Sequence, residues 1–379
     1  MGKIFLRALA FVGMLLLAPM AVAQTAGGPI QVRTGDVFTV SVDYTQTSEI
    51  GEQSVDARLG LSYSITVLDA EQRIWRFMPV DVSYELPTGM GLEDVSASVN
   101  WRAVSDALSA FMRIATDVGF DCRVDEYGRC IEMINWPFWA ARVENMVLIG
   151  DAIARMAPGQ EAVEGPKQPG EAGAAPNWGT LREPVLQGVS RLIDAYDSRD
   201  AGASLAGIYM PAFVQGRTLT RRQNVPVADE YDMPWGAPPL RVAGTIRLER
   251  IDQRNNTATV TRRVALEEES ARAALHSMTR FVTDNLITPL APYFPEGEEP
   301  PTAEALIEML DTALGGLTYQ ETTTGVIDLA TGLARETTTD YVVTITTGEG
   351  ETATPLTSRG RIVTRVTAGA PTVPRLPRR

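Results

Sequence analysis

The chain has 379 residues, with 34 Lys+Arg against 47 Asp+Glu and a net charge of −13, a balance that repels nucleic acid and anionic lipid surfaces. It holds one histidine and two cysteines, too few for a His-based metal centre or a cysteine-rich zinc site. Lys3 and Lys167 are the only lysines, which removes the usual residue of Schiff-base and P-loop chemistry.

Lys3 and Arg7 precede an apolar run, Ala8 to Leu17, and the small residues Ala21-Val22-Ala23 follow it. This pattern predicts a secretory signal peptide over residues 1–23, cleaved after Ala23, and a destination in the periplasm or outside a Gram-negative cell. The remaining 32 basic and 47 acidic residues carry a net charge of −15. No later stretch reaches the apolar length of a spanning helix, so no membrane span is expected in the mature chain.

From Val37 the chain alternates apolar and polar residues, and Arg58 to Leu68 and Ile74 to Glu85 do the same. A period of two marks half-buried strands, here an antiparallel meander. Asn100 is a candidate cap for a helix whose apolar stripe runs through Trp101, Val104, Leu108, Phe111 and Met112. DVGFDCRVDEYGRCIEMINW, Asp117 to Trp136, then predicts a hairpin with Gly128 at φ > 0. Cys122 and Cys130 face each other if the loop is Asp125-Glu126-Tyr127 and lie diagonally if it is Glu126-Tyr127-Gly128. Both registers leave the sulfurs on one face, and an oxidising compartment predicts a structural disulfide between them. Asn135 is a candidate cap for a second helix, with Trp136 and Pro137 in its first turn and Trp139 on its inner side.

Pro158 to Asn177 is rich in Pro, Gly, Ala and Glu and reads as a flexible segment. A helical stripe resumes from Leu181 to Tyr196, and Pro226 to Pro239 reads as a proline-rich loop. Arg241 to Leu266 predicts a hairpin turning at Arg254-Asn255-Asn256. Two helices follow, one opened by Glu267-Glu268-Glu269 and one capped by Thr302. The final strands are expected over Leu317–Leu329, Leu333–Thr347 and Arg359–Val366, before a disordered tail, 371–379. The expected fold is α+β, mostly antiparallel sheet in two β-rich halves, 30–216 and 217–370, with helices packed on one face. Whether the halves share one sheet, and whether they arose by duplication, stays open.

VIDLATGLARETTTDYVVTI, together with the Gly128 hairpin running into a tryptophan-led helix, resembles uncharacterised exported bacterial proteins assigned to domains of unknown function. The resemblance implies an envelope location and assigns no functional residues.

Catalytic constellations are weak. Ser204 in GASLAG lacks the strand-turn-helix context of a nucleophile elbow. Asp121, Asp125 and Glu126 lack the spacing of a calcium loop, and His276 reads as a solvated residue on the helix side carrying Arg272 and Arg280. No catalytic, metal or cofactor residue is assigned. The concentration of aromatics from Trp101 to Trp139 is either packed core or the wall of an apolar cavity. On the cavity reading Trp101, Phe111, Trp136, Phe138 and Trp139 would bind ligand. The leading expectation is a non-catalytic periplasmic protein that binds an apolar small molecule or an envelope protein. The alternatives are a structural or assembly module without ligand, and a carboxylate- or serine-dependent hydrolase.

Overall fold

A computed structural model describes residues 30–50, 53–88, 118–142, 187–202 except 189, 219, 223–293, 300–313, 316–347 and 354–369. The expected signal peptide, the Trp101 to Met112 helix, the 158–177 segment, Ser204 and the C-terminal tail lie outside these residues.

The alternating stretches form strands β1 (Val37–Ile50), β2 (Gln53–Asp69) and β3 (Ile74–Thr88). The hairpin supplies β4 (Phe120–Val124) and β5 (Cys130–Met133). Later strands are β6 (Asn224–Tyr231), β7 (Leu240–Asp252), β8 (Thr257–Leu266), β9 (Gly316–Asp328), β10 (Ala334–Thr347) and β11 (Thr354–Ala368). Helices α1 (Glu268–Val282) and α2 (Ala303–Ala313) lie between β8 and β9. Thr302 caps α2 as expected, its Oγ1 accepting from Ala305 N–H at 3.1 Å. The proline-rich reading of 226–239 is corrected, since its first part is strand β6. Pro226 is tolerated there because β6 is the edge strand of the sheet among the described residues.

All eleven strands belong to one antiparallel sheet in the order β5-β4-β3-β2-β1-β11-β10-β9-β8-β7-β6. The two strand sets meet where β1 pairs with β11 along its length, from Phe38 opposite Ala368 to Ile50 opposite Leu356. Two apolar clusters nevertheless persist on the shared inner face. One gathers Val40, Tyr63, Ile65, Trp75, Phe77, Phe120 and Trp139 over β1–β5. The other gathers Val242, Ile246, Val260, Leu317, Tyr319 and Ile345 over β6–β11, with Ala271 and Ala274 of α1 packed on it.

The opposite face is laced with cross-strand ion pairs, among them Arg361 with Asp340, Arg365 with Asp43 and Arg359 with Glu49. A barrel facing lipid would carry an apolar band there instead.

At the strand spacing of ~4.8 Å, the outer strands of a flat eleven-stranded sheet would stand roughly 48 Å apart. Here one helical segment, 187–202, bridges them. Gly202 lies so close to β5 that a Cβ would come within 2.6 Å of Glu132 N. Two residues earlier, the Asp200 carboxylate accepts the Trp235 N–H, just beyond β6, at 3.3 Å. Rings continue the bridge: Trp136 to Tyr196 at 5.2 Å, Tyr196 to Trp235 at 6.1 Å and Trp235 to Phe281 of α1 at 5.2 Å. The sheet therefore curls until its edges face each other across this segment.

One end of the curl is strapped. Ile30 N–H donates to Glu126 O in the β4–β5 turn, and Gln31 N–H to Thr331 O in the β9–β10 turn, both at 2.9 Å. Gly35 N–H then bonds Val67 O at the end of β2.

Candidate functional site

The cysteine hairpin takes the diagonal register. Asp125 N–H donates to Arg129 O, Gly128 has φ 81°, Cys130 stands opposite Val124, and Cys122 opposite Met133. The Cys122–Cys130 disulfide is formed and its sulfurs are buried. Asp125 is spent on the turn, accepting from the Tyr127 and Arg129 N–H groups and pairing with the Arg129 guanidinium. Asp121 is likewise paired, with Arg76 at 2.6 Å. Neither carboxylate is left for a cation, and among the described residues no cluster of three metal-ligating side chains occurs.

Of the five aromatics proposed for ligand binding, Trp101 and Phe111 lie outside the described residues. Trp139 is buried to 2% exposure, stacked on Phe120 at 4.6 Å, with its Nε1–H donating to Gly119 O. It fills core. Phe138 meets Trp139 edge-on and carries the Arg142 guanidinium over its ring. Trp136 belongs to the bridge between sheet edges. Asn135 does not cap its helix through its side chain; the Oδ1 accepts from Asp121 N–H and the Nδ2 donates to Gly119 O, tying the helix start to β4.

His276 is also corrected. Its Nε2 lies 2.8 Å from Asp311 on α2, and only 24% of the side chain is exposed. The helix side with Arg272 and Arg280 approaches α2 while staying partly exposed: Arg272 pairs with Asp311 too, at 3.1 Å, and Arg280 approaches Glu304. Burial would raise the pKa of Asp311, but the hydrogen bonds and charges of His276 and Arg272 outweigh it and hold the carboxyl below its ordinary value.

Two arrangements on the inner face escaped the sequence reading. The first is a buried charge cluster. Arg262 on β8 donates to Glu321 of β9 at 3.1 Å, to Asp229 of β6 at 3.0 Å and to the Tyr231 hydroxyl at 2.8 Å, with all three charged side chains at most 5% exposed. Tyr319 and Thr323 donate to Glu321 as well. Arg262 reaches β6 across β7, whose Gly244 lies so close to β8 that a Cβ there would strike Arg263 O. Burial opposes the charge on Arg262, but Tyr231, Glu321 and Asp229 outweigh it and keep its pKa above the ordinary value. Burial, more than nearby Glu321, pushes the Tyr319 hydroxyl well up, and burial pushes Tyr231 up to about 12.

The second is a trough on β2, β1 and β11. Inner-facing side chains are buried near the strapped end, with Val40 and Tyr63 at 0% exposure. Towards the other end they open: Val42, Tyr44, Gln46 and Ser48 on β1, Leu61 on β2 and Ile362 on β11 are half-buried, and Leu59 is 41% exposed. Across β10 the same level stays buried. Within the trough Tyr341 of β10 lies over Gly360 of β11, where a Cβ would fall 2.2 Å from its ring, and reaches Tyr44 hydroxyl to hydroxyl at 2.7 Å. Tyr44 also donates to Gln46 Oε1, and the Gln46 amide donates to Ser48 at 3.0 Å and Ser358 at 2.6 Å. Burial raises the pKa of both tyrosines, so they stay neutral.

No helix among the described residues is long and apolar enough to cross a membrane. No family model matches the chain, and no curated protein matches it. Among solved structures, one on lipid–protein interactions in lipovitellin aligns with 92% of this chain at 8% identity and a TM-score of 0.38. The chain spans 27% of that structure's length.

Proposed function

We propose that this is an exported, non-catalytic protein that holds an apolar ligand on the inner face of its curled sheet. The observation that carries the reading is the gradient of exposure along that face: sealed and aromatic at the strapped end, open around Leu59 and Tyr44 at the other. Monomeric proteins cover apolar sheet faces, so an open apolar trough next to a closed core is a place for something else to sit. The trough replaces the Trp136–Trp139 aromatics as the binding wall, because Trp139 is occupied by packing. Export to the periplasm or beyond is supported by the Cys122–Cys130 bond, which persists in oxidising compartments.

Native mass spectrometry after gentle purification, together with displacement of a fluorescent lipid, tests the reading. Leu59→Arg is expected to weaken lipid binding by about tenfold or more while leaving the circular dichroism spectrum intact, since the site is open and a charge there opposes an apolar occupant. Absence of any bound mass and of any displacement would refute the ligand reading and leave a structural or assembly module.

A further inference from the structure

Resting on that reading, we infer that the ligand of the trough is an amphiphile with an uncharged, hydrogen-bonding head, such as a glycerol ester or a fatty alcohol, rather than a fatty acid or a phospholipid. The argument comes from the side chains that the strand alternation directs inward and those it directs out. On β1 and β11, Asp43, Glu49, Arg359, Arg361 and Arg365 all take outward positions and are engaged in ion pairs there. On β2, Asp56 also faces outward, accepting from Thr47. The inward positions at the same level hold a connected network of neutral groups: Tyr44, Tyr341, Gln46, Ser48 and Ser358. Among the described residues, the charged side chains of the inner face, Arg262, Asp229 and Glu321, are buried and turned on one another.

A charged head entering the trough would lose water and meet no counter-charge among the described residues. A neutral head meets a donor. Gln46 Oε1 accepts from Tyr44, the two tyrosine hydroxyls share a hydrogen, and the Gln46 amide uses both of its hydrogens on the serines. Ser48 and Ser358 are 2.8 Å apart, so one hydrogen serves the bond between them and the other serine hydroxyl hydrogen is left over. Ser358 is buried and Ser48 half-buried, which makes Ser48 the natural donor to a ligand oxygen. Leu59, Leu61 and Ile362 beside it are suited to an acyl or alkyl chain.

The test uses the purified chain as exported, from Gln24 onward, loaded with the neutral dye N-phenyl-1-naphthylamine and displaced at pH 8 by 1-monooleoylglycerol, oleate or octadecene, all below their aggregation limits. Monooleoylglycerol is expected to displace the dye at about a tenth of the concentration needed for either of the others. Gln46→Leu combined with Ser48→Ala is expected to bring those concentrations together, and Tyr44→Phe, which keeps the ring and removes one hydroxyl, to shift them part of the way. Equal displacement by oleate, or a preference that survives both variants, would overturn the assignment of the head while leaving an apolar-ligand protein standing. Displacement by none of the three would overturn the carrier reading as well.

Discussion

The two edge strands of this sheet are secured by unlike chemistry. β5 has four residues, and it is held by a disulfide to β4, by the helical residues 198–202 lying on its backbone, and by the stacking of Trp139, which follows it, on Phe120 of β4. β6 has eight residues and no covalent tie among the described residues; its Asp229 instead joins Arg262 two strands away, on the far side of β7. The first lock is dry and local in sequence. The second is ionic, joins residues 33 and 59 positions apart, and depends on three strands arriving in register. A short strand carries few ladder bonds and gains most from a covalent tie, whereas a longer strand can be aligned by a polar contact that only one register satisfies.

The sharpest way to break the comparison is to remove the cation. Arg262→Met leaves Asp229 and Glu321 buried without a partner and is expected to cost about 3–5 kcal/mol in urea unfolding. Combining it with Asp229→Leu and Glu321→Leu is expected to recover most of that loss, because a fully apolar replacement has no charge to desolvate. If the triple variant were as unstable as the single one, the cluster would be contributing net stability rather than register. Next in size is Gly244→Ala. Its Cβ would stand 1.9 Å from Arg263 O, a backbone atom that can move only by parting β7 from β8. At Gly360 the obstacle is the Tyr341 ring, which can swing, so Gly360→Ala is expected to cost about 1–3 kcal/mol and Gly244→Ala more. Thermal melts of both variants give the ranking.

Opening the other lock is expected to matter less. Cys122→Ser with Cys130→Ser removes a short loop closure that the chain-entropy treatment values at about 2–3 kcal/mol. Because the hairpin also keeps Val124 and Met133 in the core, hydrogen exchange should quicken first in β4 and β5 and leave β6–β8 as slow as before. A uniform loss of protection across the sheet would show that the two locks are not independent.

The readable parts of this fold are those whose signal is short-range. Alternation from Val37, from Arg58 and from Ile74 marked β1, β2 and β3, and Gly128 between the cysteines marked the hairpin that the structure contains. β6 was hidden by Pro226, which forbids a central strand and is harmless at an edge. The union of the two strand sets had no local sign at all, since β1 and β11 lie about 300 residues apart and pair through backbone groups that every residue carries. The charge cluster did leave a trace. Arg262 falls on the same alternation as Val260 and Val264, and Glu321 on that of Leu317 and Tyr319, which sets two charges on faces otherwise apolar. The trough had a similar trace in β1, where Asp43 and Glu49 occupy one parity while Val42, Tyr44, Gln46 and Ser48 occupy the other. What sequence could not supply was the neighbour on each side, and hence which of those positions would be covered.

The smallest expected effect separates pairing from burial on the β6–β11 side. Asp311 meets the same kind of partner as Asp229, an arginine, and a histidine besides, yet 39% of its side chain is exposed. Its folded pKa lies below the ordinary carboxyl value, chiefly because the bonds and charges of His276 and Arg272 overcome the effect of burial. A depressed carboxyl pKa adds stability above the unfolded value, about 4, and the contribution fades as pH falls through the folded value. The window of loss is therefore below pH ~4. Solvent screens so open a pair, and Asp311→Asn at pH 7 is expected to cost about 0–1 kcal/mol, diminishing further in 1 M salt. Urea unfolding of wild type and variant at pH 7 and pH 3 should show the difference closing at the lower pH. A loss comparable to that of Arg262→Met would mean that an exposed pair between α1 and α2 matters as much as a buried one, and burial would no longer explain why β6 relies on charge.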